Sequence, residues 1–113
     1  MLQFPSHIDR ISQLMQYAEM NHRVISHNLA NVNTPGYQRL KLDFSTEIQN
    51  ANSAAQSQLK IVPDLQRPSR MDGNNVDIDR ELGQLNRNSL LFETYSQILT
   101  SHLSMMRLAL GRS

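Results

Sequence analysis

The chain has 113 residues, 39% of them hydrophobic, no cysteine, and a formal net charge of +1. This length suits one small domain, the missing cysteines exclude disulfides and thiolate metal sites, and the scattered charges are unlike the basic face of a nucleic-acid-binding protein. The first residues lack a basic stretch followed by an apolar run, and no segment approaches the ~20 apolar residues of a membrane span, so we expect neither a cleaved signal peptide nor direct membrane insertion.

A first amphipathic helix is predicted over residues 6–32. Apolar or small residues recur there at alternating spacings of three and four, the pattern of a coiled-coil seam. Ser6 is a suitable N-cap, and Asp9 is favourable in the first turn of a helix. His22 is the polar member of this seam, and we expect it to hydrogen-bond across a helix bundle. The seam consists of Ile8, Ile11, Met15, Ala18, His22, Ile25, Leu29 and Val32.

The first helix is predicted to end at a turn formed by Asn33, Thr34, Pro35 and Gly36, which leads into Tyr37. Pro35 disfavours helical geometry at Thr34, and Gly36 tolerates a positive φ that other residues resist. This exit turn therefore separates the helix from an extended segment.

Two asparagines, Asn28 and Asn31, share a helix face just before the exit turn. Their amides either donate to carbonyls left free at the end of their own helix or to the backbone of a neighbouring subunit. Tyr37 likewise either packs the turn against a helix or lies at an interface.

The middle of the chain is predicted to hold a short strand and a flexible loop. Apolar and polar residues alternate from Leu40 to Phe44, as in a strand. Residues 45–58 are mostly Ser, Ala, Gln and Asn, too polar to build a core. Ile61-Val62 and Met71 are candidate pairing partners for the strand, and nearby prolines restrict any sheet to an edge.

A second amphipathic helix is predicted after the turn at residues 72–75, with Asp77 or Asp79 as its cap. Gly83 weakens it by about 1 kcal/mol relative to alanine. Its seam consists of Ile78, Leu82, Leu85, Ser89, Phe92, Ser96, Leu99, Leu103, Met106 and Leu110.

These elements predict a mainly α fold in which two long terminal helices pack as an antiparallel coiled-coil hairpin, joined by an extended loop with a short β element. The chain divides into residues 1–33 and 76–113, the helical assembly cores, and residues 34–75 between them. A two-helix hairpin leaves one side of each seam uncovered, while ordering the backbone costs about 1–2 kcal/mol per residue. A single copy should therefore be marginally stable, and neighbouring chains should complete its packing.

The predicted subunit interface follows from these seams and from the two asparagines. It consists of Ile8, Ile11, Met15, Ile25, Asn28, Leu29, Asn31, Val32, Leu82, Leu85, Phe92, Leu99, Leu103 and Met106.

Two stretches of sequence resemble bacterial flagellar axial proteins, the family of rod, hook and hook-associated subunits. ISHNLANVNTPGY, residues 25–37, is similar to the N-terminal signature of that family, and DGNNVDIDREL, residues 72–82, to the segment before the last helix in proximal rod subunits. The resemblance covers residues 8–44 and 71–110. Hook and distal-rod relatives carry a larger folded insertion, whereas only about forty residues separate the helices here, which favours a proximal rod subunit.

The resemblance implies a structural subunit of the flagellar basal-body rod that polymerises through its terminal helices into part of the drive shaft and export channel. Its implied partners are other copies of itself, other rod and basal-body proteins, and the flagellar type III export apparatus. Export would deliver it without a cleaved signal peptide to the periplasmic rod. Phe44 to Ile48 resembles the short export motif of such subunits, although Phe4 to Ile8 fits the same pattern. The alternative is a soluble coiled-coil adaptor or export chaperone.

No residue pattern supports catalysis, a metal or a cofactor. His22 and His27 are five residues apart, a poor spacing for shared ligation on one helix face. The acidic and amide residues of segment 72–79 lack the glycine and glutamate that an EF-hand loop requires. We therefore expect no enzyme activity, no metal and no cofactor.

Overall fold

The computed structural model describes residues 6–43 and 60–111. Two long helices, α1 (Ser6–Ala30) and α2 (Ile78–Ala109), flank two short strands, β1 (Leu40–Asp43) and β2 (Lys60–Pro63). At 1.5 Å per residue the helices are about 37 and 48 Å long. The predicted mainly α hairpin is confirmed. The loop predicted for residues 45–58 and the candidate export motif Phe44–Ile48 lie outside the described residues.

Helix α1 ends two residues earlier than predicted because its last turn tightens. The amide of Asn31 donates to the carbonyl of Asn28, and that of Val32 to the carbonyl of Leu29, at 3.1 and 3.3 Å. These bonds span three residues instead of four, a common way for a helix to end. The chain then turns through Gly36, whose φ of 75° is the positive value expected for this glycine.

Helix α2 begins directly after its N-cap, Asp77, whose carboxylate accepts a hydrogen bond from the amide of Asp79 at 3.0 Å. Of the two predicted caps, Asp77 therefore has this role. Asp79 lies in the first turn, where a negative charge is favourable.

The two strands form an antiparallel pair in which Ile61 lies opposite Leu42 and Val62 opposite Lys41. The predicted pairing of Ile61-Val62 with the first strand is confirmed. The proposed pairing of Met71 was wrong: it lies in the turn before α2 with its side chain fully exposed.

The helices run antiparallel and hold the molecule in an elongated shape. The rings of His7 and His102 lie 4.5 Å apart at one end of the hairpin, and Asn21 donates to Asn88 near its middle. The principal extents are 63 × 33 × 16 Å, and the radius of gyration is 18.3 Å, against about 13 Å for a compact domain of this length.

The interior of the described part is more polar than apolar. The buried apolar side chains are Ile8, Ala18, Val24, Ile25 and Val76. The buried polar ones are Asn28, Arg39, Asp64, Asn74, Asn75, Glu81 and Asn88. Helix α2 contributes only Glu81 and Asn88 to this interior, so hydrogen bonds and ion pairs contribute much of what holds the single chain together.

Candidate functional site

The two sequence motifs meet in one buried cluster, the polar junction, at the end of the hairpin where α1 stops and α2 starts. We define it by the residues whose polar side chains connect these elements. They are Asn28, Tyr37, Arg39, Asp64, Asn74, Asn75 and Glu81.

Asn28 attaches helix α1 to strand β1. Its side chain is completely buried, its amide nitrogen donates to the carbonyl of Leu40 at 2.9 Å, and its oxygen accepts from the amide of Leu40 at 2.8 Å. The side chain thus pairs with Leu40 as a neighbouring strand would. Asn31 donates to the carbonyl of His27 in its own helix at 2.9 Å, one of the two alternatives considered for it. Contact of either asparagine with a neighbouring subunit stays a prediction.

Tyr37 continues this network. Its hydroxyl donates to the side-chain oxygen of Asn28 at 2.8 Å and lies 2.8 Å from Nδ1 of His27. Because the single hydroxyl proton is used on Asn28, Nδ1 of His27 must be the donor in the second bond. Burial, and then the carboxylate of Glu81, raise the pKa of Tyr37, while Arg39 opposes them. Tyr37 therefore anchors the exit turn as a neutral phenol.

Asn74, from the second motif, caps the end of the first helix. Its buried amide nitrogen lies 2.8, 3.1 and 2.9 Å from the carbonyl oxygens of Asn31, Val32 and Thr34. These carbonyls belong to the turn that follows α1, so the side chain of Asn74 holds that turn in place directly after the helix. Its side-chain oxygen accepts from the amide of Val76 at 2.8 Å. One residue thus fixes the end of α1 and the approach to α2.

Replacing Asn74 with alanine is expected to lower the free energy of unfolding by about 1–3 kcal/mol, because the buried amide of Val76 loses its acceptor and three turn carbonyls each lose a donor. Thermal or urea unfolding followed by circular dichroism measures the loss. Asn33→Ala is the matched control, since Asn33 is exposed in the same turn and should change stability by less than about 0.5 kcal/mol. Equal losses in the two variants would contradict the capping role.

The exit turn and the turn before α2 lie directly against each other. The amide of Gly36 donates to the carbonyl of Asp72 at 2.8 Å, and Gln38 donates to the carbonyl of Gly73 at 2.6 Å. Gly73 has a φ of 84°, and a Cβ there would lie 3.2 Å from Cα of Gly36. The close approach and the positive φ both favour glycine at position 73.

A buried ion cluster completes the polar junction. Nε of Arg39 donates to Glu81 at 2.7 Å, and its Nη1 donates to Asp64 at 2.7 Å. The side chains of Arg39, Glu81 and Asp64 are 6%, 0% and 10% exposed. Asn75 holds the same region, since it accepts from the amide of Arg39 at 2.6 Å and donates to the carbonyl of Asp64 at 2.7 Å.

The charges in this cluster stabilise one another. Burial opposes ionisation of Asp64 most strongly, but the hydrogen bonds from Arg39 and the Gln66 amide, together with the charges of Arg39 and Lys41, outweigh it and hold the pKa of that carboxyl below its ordinary value. Burial likewise lowers the pKa of Arg39, yet the bonds to Glu81 and Asp64 raise it overall. The bonds of Arg39 to Asp64 and Glu81 therefore link β1, the segment after β2, and the first turn of α2.

The sequence did not predict a role for Arg39, Asp64 or Glu81. The three residues are separated by 25 and 17 positions, a spacing that matches no local motif. The one available signal was the position of Glu81 beside the predicted seam, one residue before Leu82. A charged residue there is consistent with a buried ion pair, but nothing in the sequence names its partner.

The predicted interface residues are only partly covered by their own chain. Ile8, Ile25 and Asn28 are buried, whereas Leu82, Phe92 and Leu103 are exposed. The remaining members are half-buried, namely Ile11, Met15, Leu29, Asn31, Val32, Leu85, Leu99 and Met106. Their contacts with other chains stay a prediction.

Polar and ring contacts cross the hairpin one residue earlier than the predicted seams place them. His7, Asn21, Asn88 and His102 make them, in place of their sequence neighbours in the seams. Within one chain, Asn21 and not His22 makes the bond across the helices, and His22 is exposed. The expected bond of His22 across a bundle of several chains stays a prediction.

A groove lies between the helices near their middle. The cavity has a volume of about 280 Å³ and is lined by Ala18, Glu19, His22, Asn88, Ser89 and Phe92. Asn88 donates to the carbonyl of Ala18 at 2.7 Å across it. We call this cavity the mid-helix groove.

Among the described residues, no group of three His, Asp or Glu side chains is arranged to hold a metal ion. No helix within residues 6–43 and 60–111 has the length and apolar character needed to span a bilayer.

Comparison with known proteins identifies relatives along most of the chain. The family model of flagella basal body rod proteins matches residues 21–38, the segment that carries Asn28, the exit turn and Tyr37. The flagellar basal body rod protein FlgB of Yersinia ruckeri is 33% identical over 108 residues, covering 74% of this chain and 77% of the relative. FlgB of Borrelia hermsii is 27% identical over 95% of this chain and 97% of the relative. FlgB of Bacillus subtilis is 22% identical over 95% of each.

Proposed function

This chain belongs to the FlgB family of flagellar basal body rod proteins, and from that premise we propose that it polymerises through its two terminal helices to form part of the proximal rod. As a member of that family it is a structural protein of the flagellar basal body and not an enzyme. Its family implies assembly with other rod and basal-body proteins. The proposal adds that copies of the chain contact one another and that the polymer surrounds the export channel.

The observation that carries this proposal is the exposed apolar surface of α2. Helix α2 and its last turn carry ten large apolar side chains that the rest of the chain leaves exposed. They are Ile78, Leu82, Leu90, Leu91, Phe92, Ile98, Leu103, Met105, Leu108 and Leu110. Full burial of such a side chain contributes about 1.5–3 kcal/mol, and large exposed apolar patches commonly mark protein interfaces. Neighbouring helices in a rod would supply the missing cover.

The elongated shape also suits a tubular wall in which subunits pack side by side. The hairpin is 63 Å long but only 16 Å thick, so each subunit offers long sides to its neighbours. In the proposal, the half-buried stripe that includes Leu85 and Leu99 is completed by adjacent chains, and the assembled helices transmit torque along the drive shaft.

The proposed route to this position is the flagellar type III export apparatus. The subunit passes through it unfolded, without a cleaved signal peptide, and folds against its neighbours in the periplasmic rod. The Phe44–Ile48 segment is the proposed export motif. This part of the proposal derives from the sequence resemblance and from the family to which the chain belongs.

Deleting the coding sequence in a flagellated host tests the function. We expect loss of hook, filament and swimming, restored by the intact chain, and we expect an epitope-tagged chain to purify with the hook–basal bodies. Swimming cells after deletion would contradict a rod role. An adaptor or export chaperone would also be needed for motility, but it would be absent from the purified hook–basal bodies.

A further inference from the structure

The mid-helix groove has the size and lining of a site for a protein side chain. Its volume of about 280 Å³ lies below the ~300–1,000 Å³ of typical small-molecule sites. Phe92 and Ala18 supply apolar walls, while Ser89 and His22 lie at exposed positions beside them. An apolar side chain from outside would remove Phe92 from water.

The end of α2 carries a side chain suited to this groove. The ring contact between His102 and His7 lies at the start of α1, so α2 continues about two turns beyond the start of described α1. Leu110 closes this extension and is 76% exposed. Leu103, seven residues earlier and on the same helix face, is also exposed.

Leu110 cannot enter the groove of its own chain. Eighteen residues separate it from Phe92, which along a straight helix is about 27 Å. If Leu110 occupies the groove, it must therefore come from a second copy of the chain.

The charged side chain beside the mid-helix groove and the one beside Leu110 have opposite signs. Glu19 lines the groove, and its only ion pair among the described residues is with Arg23, at 3.1 Å on the exposed surface. Exposed pairs of this kind contribute little, about 0.3–0.5 kcal/mol, and can exchange partners. Arg107 lies in the last turn of α2, beside Leu110. A copy approaching by its α2 end thus brings a cation towards a carboxylate.

We infer that Leu110 of one copy inserts into the mid-helix groove of a second copy, with Arg107 near Glu19. This inference rests on the proposed function and names the contact by which two copies meet. Because the inserted residue and the groove are different surfaces, the contact is head-to-tail, and repeating it generates a ring or an open helical array instead of a closed two-fold dimer.

Cysteine cross-linking tests this contact directly, because the natural chain contains no cysteine. Two full-length single variants, Ser89→Cys and Leu110→Cys, are expressed together in a flagellated host, and isolated hook–basal bodies are oxidised. A disulfide requires Cα atoms within about 7 Å, so a product joining the two variants reports on close contact. His22→Cys with Leu110→Cys approaches the groove from α1 and gives a second, independent pair.

Leu90→Cys with Leu110→Cys is the matched control. Leu90 follows Ser89 directly and is exposed, but it does not line the groove. We expect the groove pairs to yield at least about tenfold more cross-linked dimer than the control, given the strict geometry of the bond.

The outcomes separate this inference from the proposed function. If the variants are found in hook–basal bodies but the groove pairs cross-link no better than the control, the inserted-leucine contact is wrong and the rod function stands. A Ser89→Cys product with a different protein, without the two-copy product, overturns the contact as well. Absence of the intact, unsubstituted chain from hook–basal bodies contradicts the proposed function itself.

Discussion

Replacing Arg39 with methionine is expected to lower the free energy of unfolding by about 3–5 kcal/mol, because the change leaves the buried carboxylate of Glu81 without its ion-pair partner and leaves Asp64 only the longer contacts to Arg67 and Lys41, at 3.6 and 4.0 Å. Glu81 and Asp64 each accept a 2.7 Å hydrogen bond from this guanidinium, and both side chains are at most 10% exposed. Native domains are typically stable by about 5–15 kcal/mol, and a single copy of this chain is expected near the lower end of that range, so the variant should be largely unfolded. Urea unfolding of the purified chain, followed by circular dichroism at neutral pH, measures the difference.

Arg23→Met provides the matched control for this experiment. Arg23 also pairs with a glutamate, Glu19, but both side chains are more than half exposed. Its loss should change stability by no more than about 0.5 kcal/mol. Similar effects of the two substitutions would show that the buried cluster is not what stabilises the junction.

Replacing Leu103 with aspartate is expected to prevent incorporation of the chain into the rod while leaving its own fold largely intact. Leu103 is 45% exposed in the single chain, so a carboxylate there stays in contact with water before assembly. At a helix–helix contact between subunits the same carboxylate would be buried without a partner, which is strongly unfavourable. We expect non-motile cells and no variant chain in isolated hook–basal bodies, although the purified variant keeps its helical circular dichroism.

Ser104→Asp controls for the added charge. Ser104 is the next residue, is exposed, and belongs to neither predicted seam. The variant places the same charge at the same distance from the end of α2, so it should assemble and support swimming. Normal assembly of the Leu103 variant, or equal failure of both variants, would argue against the predicted interface.

The polar junction and the exposed apolar side chains of α2 have different roles in these predictions. The polar junction holds one chain together through hydrogen bonds and ion pairs among buried groups, so its variants should be detected by unfolding of the purified protein. The apolar side chains of α2 are largely uncovered in one chain, so their variants should be detected by assembly in the cell.

Local features of the chain were predictable because they depend on neighbouring residues. Alternating three–four spacing predicts an amphipathic helix, and Pro35 and Gly36 predict the turn that follows the first helix. The N-cap Asp77 accepts from an amide only two residues further along the chain. The pairing of Ile61-Val62 with the first strand also followed, since few other apolar residues were available.

The tertiary structure alone decided which distant residues meet. Asn74 caps a helix that ended more than forty residues earlier, and Arg39 selects Glu81 and Asp64 from the charged residues of the chain. Spacing carries no information about such partners, because loop closure brings them together only once both turns pack. The same packing set the crossing contacts at Asn21 and Asn88, one residue from the apolar seams, since the buried amide of Asn88 requires hydrogen-bond partners and finds them in Asn21 and the carbonyl of Ala18.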